Sequence, residues 1–266
     1  MPRRNRTDAE RRLVEESGPE FLEALARGLR VIDAFNRERR PLTLSDAARA
    51  VELPRASVRR ALATLVRLGY AETDDRVFRL TPRILGLASA YLSSNAISGI
   101  IQPAIERLSE DVGDACSAAV RDGDDVIMIA HATPQRVIDV SAQIGFRLPA
   151  FASSLGRVLL AALGDSALDE FLARVAPRRL TPGTTVDKKA LRKAILRART
   201  DGFSYVDQEV EVGFRSISVP LMRLDGKVVA SLNIGAHSER RPAKTMLNVF
   251  LPKLRATAEQ LRQQLV

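Results

Sequence analysis

The chain has 266 residues and a formal net charge of +9, from 41 Lys and Arg against 32 Asp and Glu. Hydrophobic residues make up 45 %, enough for two modest cores, yet no stretch approaches the roughly 18 consecutive apolar residues of a membrane-spanning helix, so a soluble chain with a polyanionic partner is expected. Cys116 is the only cysteine and the charged opening Met1 to Arg12 leads into no apolar run, which predicts a cytoplasmic protein with neither an intramolecular disulfide nor a secretory signal.

Residues 1–19 are expected to be a flexible tail, followed by a DNA-binding domain over 20–81, a linker helix within 82–96 and a larger domain over 97–266. Phe21, Leu22, Leu25, Leu29, Ile32 and Phe35 recur at helical spacing and predict a first helix that ends near Arg37 to Arg40, before Pro41. Thr43 or Ser45 caps a second helix with Leu44, Ala47, Ala48 and Val51 inward, and Leu53-Pro54 makes a turn. A third helix runs from Arg55 to Leu68 and stops at Gly69. Tyr70–Thr73 and Arg76–Leu80 form a hairpin around Asp74-Asp75. Three short helices and then a hairpin is the order of a winged helix-turn-helix.

The third helix carries the chemistry. At about 100° per residue, Val58, Ala61, Leu62 and Leu65 share one face, while Ala56, Arg60, Ala63 and Arg67 share the opposite one. Residues 53–70 hold four Arg and no acid. Small residues between arginines let the backbone approach a groove, and Arg reaches phosphates or a guanine edge. Arg55, Ser57, Arg59, Arg60 and Arg67 are therefore expected DNA contacts, with Thr43 and Ser45 donating to phosphate and Arg76 and Arg79 reaching backbone or minor groove from the hairpin. The linker, with Ile84, Leu85, Leu87, Ala88, Tyr91 and Leu92, is apolar around much of its surface and needs a partner, either the first helix or another subunit.

The second domain alternates helix and strand: helices at 103–112, 154–163 and 187–200, and a largely helical 241–266 with a break at Pro252. Strands are read at 116–120, 126–131, 136–142, 203–207, 216–221 and 228–234. This is an α+β domain with an antiparallel sheet. Ser153 and Ser154 stand before Gly156 at a helix start, where hydroxyls and free amides receive a carboxylate or simply cap the helix. Ser216 and Asn233 interrupt apolar strands, and Arg147 and Arg215 are candidates to neutralise an anion. An enzyme is not expected. No nucleophile elbow, phosphate loop, dinucleotide fingerprint or Cys/His zinc cluster occurs, and a Cys116–His131 pair lacks an orienting acid. Neither cofactor nor metal is predicted.

The stretches ALARGLRVIDAF (24–35), LTLSDAARAVELPRASVRRALATLVRLGYAE (42–72), RLTPRILGLASAYL (79–92), DGDDVIMIA (122–130), VSAQIGFRLPAFASSLGRVLLA (140–161) and DGFSYVDQEVEVGFRSISVPL (201–221) together resemble the IclR family of bacterial regulators over nearly the whole chain. The EFLEALARGLRVIDAF opening and the GFRLPA segment are similar to the regulators of aromatic-acid catabolism, the β-ketoadipate-pathway group. The resemblance implies a winged helix-turn-helix with a GAF-like effector domain, operator DNA and a small organic acid as partners, and homodimers or homotetramers that pair through their DNA-binding domains. It also implies effector contacts at Ser216, Asn233 and Glu209, with Asn233 standing where many relatives carry serine. The alternatives are a ligand-independent architectural DNA-binding protein, or an enzyme with a DNA-binding appendage.

Overall fold

The computed structural model describes residues 20–38, 40–94, 96–134 and 143–265. The expected tail over 1–19 and the expected strand over 136–142 lie outside the described residues. The chain divides into two compact units, residues 1–91 and 92–266.

In the first unit, helices α1 (Glu23–Glu38), α2 (Leu44–Val51) and α3 (Arg55–Arg67) close on one apolar core. The Thr43 hydroxyl and N–H both donate to the Asp46 carboxylate, while the Asp46 N–H donates back to Thr43 Oγ1 at 3.2 Å. This reciprocal cap starts α2, and its bonds hold the Asp46 carboxyl below the usual carboxylate range. Glu52 ends α2 in the left-handed region at φ 52°, and Pro54 stands at the N-cap of α3, so only three residues separate the two helices. Strands β1 (Ala71–Thr73) and β2 (Phe78–Leu80) form the hairpin in register Ala71↔Leu80, and Leu42 adds a bridge to Phe78 with hydrogen bonds of 2.8 and 3.0 Å. That bridge anchors the wing to the segment before α2. A 3-10 turn at Pro82–Ile84 leads into α4 (Leu85–Ser94).

The apolar residues that mark α1 in the sequence do not all face the core. Val31, Ala34 and Phe35 are buried, whereas Phe21, Leu22, Leu25 and Leu29 are exposed, Leu22 by 70 %. The helix is apolar on two faces, and the stripe that periodicity singles out is mainly the outward one.

The second unit is built on a six-stranded antiparallel sheet in the order β5-β4-β3-β8-β7-β6. Its strands are β3 (Ala115–Asp122), β4 (Asp125–Ala132), β5 (Arg147–Pro149), β6 (Ser204–Asp207), β7 (Phe214–Met222) and β8 (Val228–His237). One face packs α5 (Ala96–Val112) and the C-terminal helix α9 (Leu251–Arg262). The other carries α6 (Ser154–Ala161), with α7 (Asp165–Arg174) and α8 (Lys188–Asp201) beyond it. Two elements were not read from the sequence: β5, three residues long, and α7, whose Leu168, Phe171 and Leu172 do show helical spacing. Helix α5 begins seven residues before Pro103 and runs through it. The expected break at Pro252 is a π-helical turn, Met246–Phe250, just before the proline; it accommodates a ring with no N–H to donate. At His131 the outer backbone groups of β4 meet the Gln102 side chain, whose amide nitrogen donates to His131 O at 3.0 Å and whose oxygen accepts from His131 N at 3.2 Å.

Candidate DNA-binding and effector sites

Helix α3 buries Val58, Leu62 and Leu65 and turns Arg55, Arg59, Arg60 and Arg67 outward. None of these four arginines has an ion pair among the described residues. On the wing, Arg76 is exposed, while Arg79 lies 3.2 Å from Asp74. The Asp74 carboxylate accepts the N–H groups of Arg76 and Val77 and so fixes the wing tip. Ser45 is half-buried on α2, and the Thr43 hydroxyl is engaged by the helix cap. Ser57, Arg60 and Thr64 also edge a groove of about 420 Å³ between α1 and α3, lined by Leu25, Leu29 and Leu68 among others.

In the second unit, register assembles a polar row that no single strand reveals. His131 of β4 faces Ser117 of β3, Ser117 faces Asn233 of β8, Asn233 faces Ser218 of β7, and Ser218 faces Ser204 of β6. Laterally paired residues share one face of a sheet. Here it is the α6 face, because Ser154 Oγ lies 2.7 Å from Ser218 Oγ and 2.8 Å from Ser216 Oγ, with the Asn233 amide nitrogen at 3.5 Å. Ser117 Oγ lies 2.9 Å from His131 Nδ1. Three hydroxyls with two contacts between them retain one proton to donate outward, and the Asn233 amide adds more donor capacity. Ser153 caps α6 by accepting the Gly156 N–H at 3.1 Å.

The expected site residues therefore separate. Ser154, Ser216 and Asn233 meet, joined by Ser218, Ser117, His131 and Ser204, which the sequence reading missed. Gly156 is a packing position: a Cβ there would overlap the Ala150 backbone. Arg147 stands apart, at 2.7 Å from Asp122 and 3.2 Å from Asp125 at the β3–β4 hairpin. Arg215 is next to Ser216 on β7 and so points to the opposite face, where it meets Asp207 and the Arg241 carbonyl. Both lie away from the polar row because nearby acids and carbonyls hold them. The Glu209 carboxylate is saturated by Arg157 through two 2.7 Å bonds and by the Thr185 N–H at 2.8 Å. Cys116 and His131 fall on opposite faces of the sheet, and burial pushes the Cys116 thiol up, so the pair forms no dyad. Among the described residues no three His, Cys, Asp or Glu come together to hold a metal, and no helix is long and apolar enough to cross a membrane.

A winged helix with an outward cationic recognition helix, joined to a sheet-based domain with a buried polar row, defines a DNA-binding regulator with a sensor domain. Comparison with known proteins bears this out. The helix-turn-helix domain of the IclR family matches residues 24–75, and the C-terminal domain of IclR bacterial transcriptional regulators matches 89–263. The chain belongs to the IclR family of bacterial transcriptional regulators, and it is a regulator rather than an enzyme. It is 42 % identical to the Pca regulon regulatory protein of Pseudomonas putida over 93 % of this chain and 85 % of that one. A transcriptional regulator from Rhodococcus sp. RHA1 superposes with a TM-score of 0.79 at 42 % identity, covering 92 % of this chain and 98 % of the other. An IclR homolog from Microbacterium hydrocarbonoxydans, solved in complex with 4-hydroxybenzoate, superposes at 0.75 with 28 % identity over 91 % and 98 % of the two chains.

Proposed function

We propose that this protein is a cytoplasmic regulator of an aromatic-acid catabolic operon, binding operator DNA as a homodimer, or a pair of homodimers, under the control of a small aromatic acid. Residues 20–81 read DNA, 82–96 link, and 97–266 hold the effector. The observation that carries the DNA reading is the acid-free outward face of α3, with Arg55, Arg59, Arg60 and Arg67 unpaired among the described residues. Arg55, Ser57, Arg59 and Arg60 lie in its first half, the part that meets base edges in helix-turn-helix docking, while Ser45, Arg67 and Arg76 serve phosphates. The exposed Phe21 and Leu22 just before α1 and Leu25 and Leu29 on it, with Leu85, Leu87 and Tyr91 of α4, form the dimer surface, since apolar area of this extent calls for a partner.

The effector site is the polar row under α6. The spare proton of the Ser154–Ser216–Ser218 cluster, the Asn233 amide and the amides at the start of α6 receive a carboxylate, and His131 with Ser117 takes a second polar group across the row. The Pca regulon relative and the hydroxybenzoate-bound homolog support an aromatic acid. Binding shifts the balance between domain arrangements and with it operator affinity.

Arg60→Ala should weaken operator binding by about 10-fold or more, the loss of one guanidinium contact, while leaving effector affinity of the DNA-free protein unchanged. Equal losses of both in a folded variant would overturn the division of labour. A thermal-shift screen with protocatechuate, 4-hydroxybenzoate, β-ketoadipate, pyruvate, glyoxylate and succinate tests the effector. A true ligand at 100 times its dissociation constant adds about 2.7 kcal/mol of stability. Ser154→Ala should diminish that shift, and a shift with succinate or glyoxylate alone would count against an aromatic ligand.

A further inference from the structure

Helix α8 (Lys188–Asp201) carries a charge pattern that its own surroundings do not explain. Leu191, Ile195 and Ala198 face the core. On one flank Arg192 pairs with Asp169 at 3.0 Å, and Arg199 pairs with Asp165 at 2.7 Å while also donating to the Ala161 and Leu163 carbonyls. On the other flank Lys189, Lys193 and Arg197 recur every fourth residue and are exposed. The residues three and four away from Lys189 are Thr185, Val186, Arg192 and Lys193; those around Lys193 are Lys189, Ala190, Leu196 and Arg197. No carboxylate is in helical reach of either lysine, and neither has an ion pair among the described residues, whereas Arg192 and Arg199 on the other flank of the same helix do. Only Arg197 has an acid, Asp201, at 3.1 Å.

This arrangement works against the helix, because like charges at a spacing of four repel; the Asp187 carboxylate, which caps the helix by accepting the Ala190 N–H at 2.8 Å, offsets Lys188 and Lys189 at the first turn but reaches neither Lys193 nor Arg197. Three of the chain's six lysines are placed in these six residues, while residues 1–100 contain none. An external anion would relieve that repulsion. Three cations spread over nine residues span about 12 Å, longer than any single phosphate or carboxylate, whereas a duplex presents several phosphates over that length, at about one charge per 1.7 Å of its axis. The occupant that can meet all three at once is a polyanion, and DNA is the polyanion that the helix-turn-helix domain of this chain binds.

We propose that the Lys189–Lys193–Arg197 stripe of α8 is a second, sequence-independent DNA contact of this chain, one that holds duplex phosphates. The proposal rests on DNA binding by the first domain. The test compares the full-length protein with the triple variant Lys189→Gln/Lys193→Gln/Arg197→Gln. Binding is measured to a labelled random-sequence duplex several helical turns long, across a series of salt concentrations. A charge-matched control, Lys227→Gln/Arg240→Gln/Lys244→Gln, removes three exposed cations elsewhere on the domain.

The triple variant should bind more weakly and lower the slope of log affinity against log salt by up to about 2.7 per chain engaged, at about 0.9 per phosphate contact, while the control leaves the slope near that of the parent. Arg60→Ala in the same assay reports on the first domain. Equal slopes for the triple variant and the parent would overturn the proposal. So would unchanged DNA binding together with lost promoter output, which would assign the stripe to an acidic protein surface. A parent protein that binds no duplex would remove both readings, whereas a loss confined to Arg60→Ala would remove only the α8 contact.

Discussion

Truncating Arg157 to alanine is expected to destabilise the protein by about 3–5 kcal/mol, measured as the change in unfolding free energy in urea. Arg157 is 4 % exposed and Glu209 9 %, and the two meet in a fork-to-fork geometry with both bonds at 2.7 Å. Arg157 Nε donates to the Phe151 carbonyl at 2.9 Å, so the guanidinium ties α6 to the segment that precedes it. Glu209 reaches the Thr185 N–H, and Thr184 Oγ1 donates to the Glu209 carbonyl at 2.7 Å, which fastens the loop over 181–185 to the same point. Removing the arginine leaves a buried carboxylate with one N–H donor, and the penalty is that stranded charge. Arg157→Met combined with Glu209→Leu should recover most of the loss, because exchanging both ions for apolar groups of similar size removes the desolvation penalty along with the attraction. A single-variant loss below about 1 kcal/mol would show that water or a rearranged loop satisfies Glu209. Because Arg157 follows Ser154 by three residues, roughly one helical turn, the pair also sets the height of Ser154 over the polar row.

Gly156→Ala is the second large effect, and its sign separates two arguments. Helix propensity alone favours alanine over glycine by about 1 kcal/mol. Packing predicts the reverse, because the added Cβ would overlap the Ala150 carbonyl oxygen, Cα and carbonyl carbon. All three are backbone atoms, so no rotamer change can yield, and either α6 or the strand-to-helix connection must move. A destabilisation of about 3 kcal/mol or more is expected, at the upper end of overpacking. Effector-induced thermal shift should fall as well, since the displacement carries Ser154 away from Ser216 and Ser218. A stabilised variant would mean that the close approach of α6 to Ala150 is not needed for the fold.

The first domain was legible because its signals are local. Thr43 or Ser45 marks a helix start, Leu53-Pro54 a turn, Gly69 a helix stop, and the spacing of Val58, Leu62 and Leu65 sets which side of α3 faces out. Which side of α1 faces inward was not legible, because Leu25 and Leu29 have the same periodicity as a core face, and only the placement of Val31, Ala34 and Phe35 decides between them. In the second domain, Ser154, Ser216 and Asn233 were legible as polar residues in apolar surroundings. Ser117, His131, Ser218 and Ser204 were not, since their alignment exists only once five strands are in register. That Arg147 and Arg215 lie away from the row was not legible for a related reason. The acids that hold Arg147, Asp122 and Asp125, precede it by more than twenty residues, and the pleat, invisible to composition, sends Arg215 to the face opposite Ser216.

The Gln102 amide at His131 bears on a property outside both DNA and effector. A strand whose N–H and C=O point outward is a template on which another chain can add a strand. At His131, past the stretch of β4 that β5 covers, a side chain imitates a neighbouring backbone, offering one donor and one acceptor at the spacing His131 requires. A glutamine on a helix thus takes the place of a strand there and leaves neither backbone group of His131 for another chain to pair with.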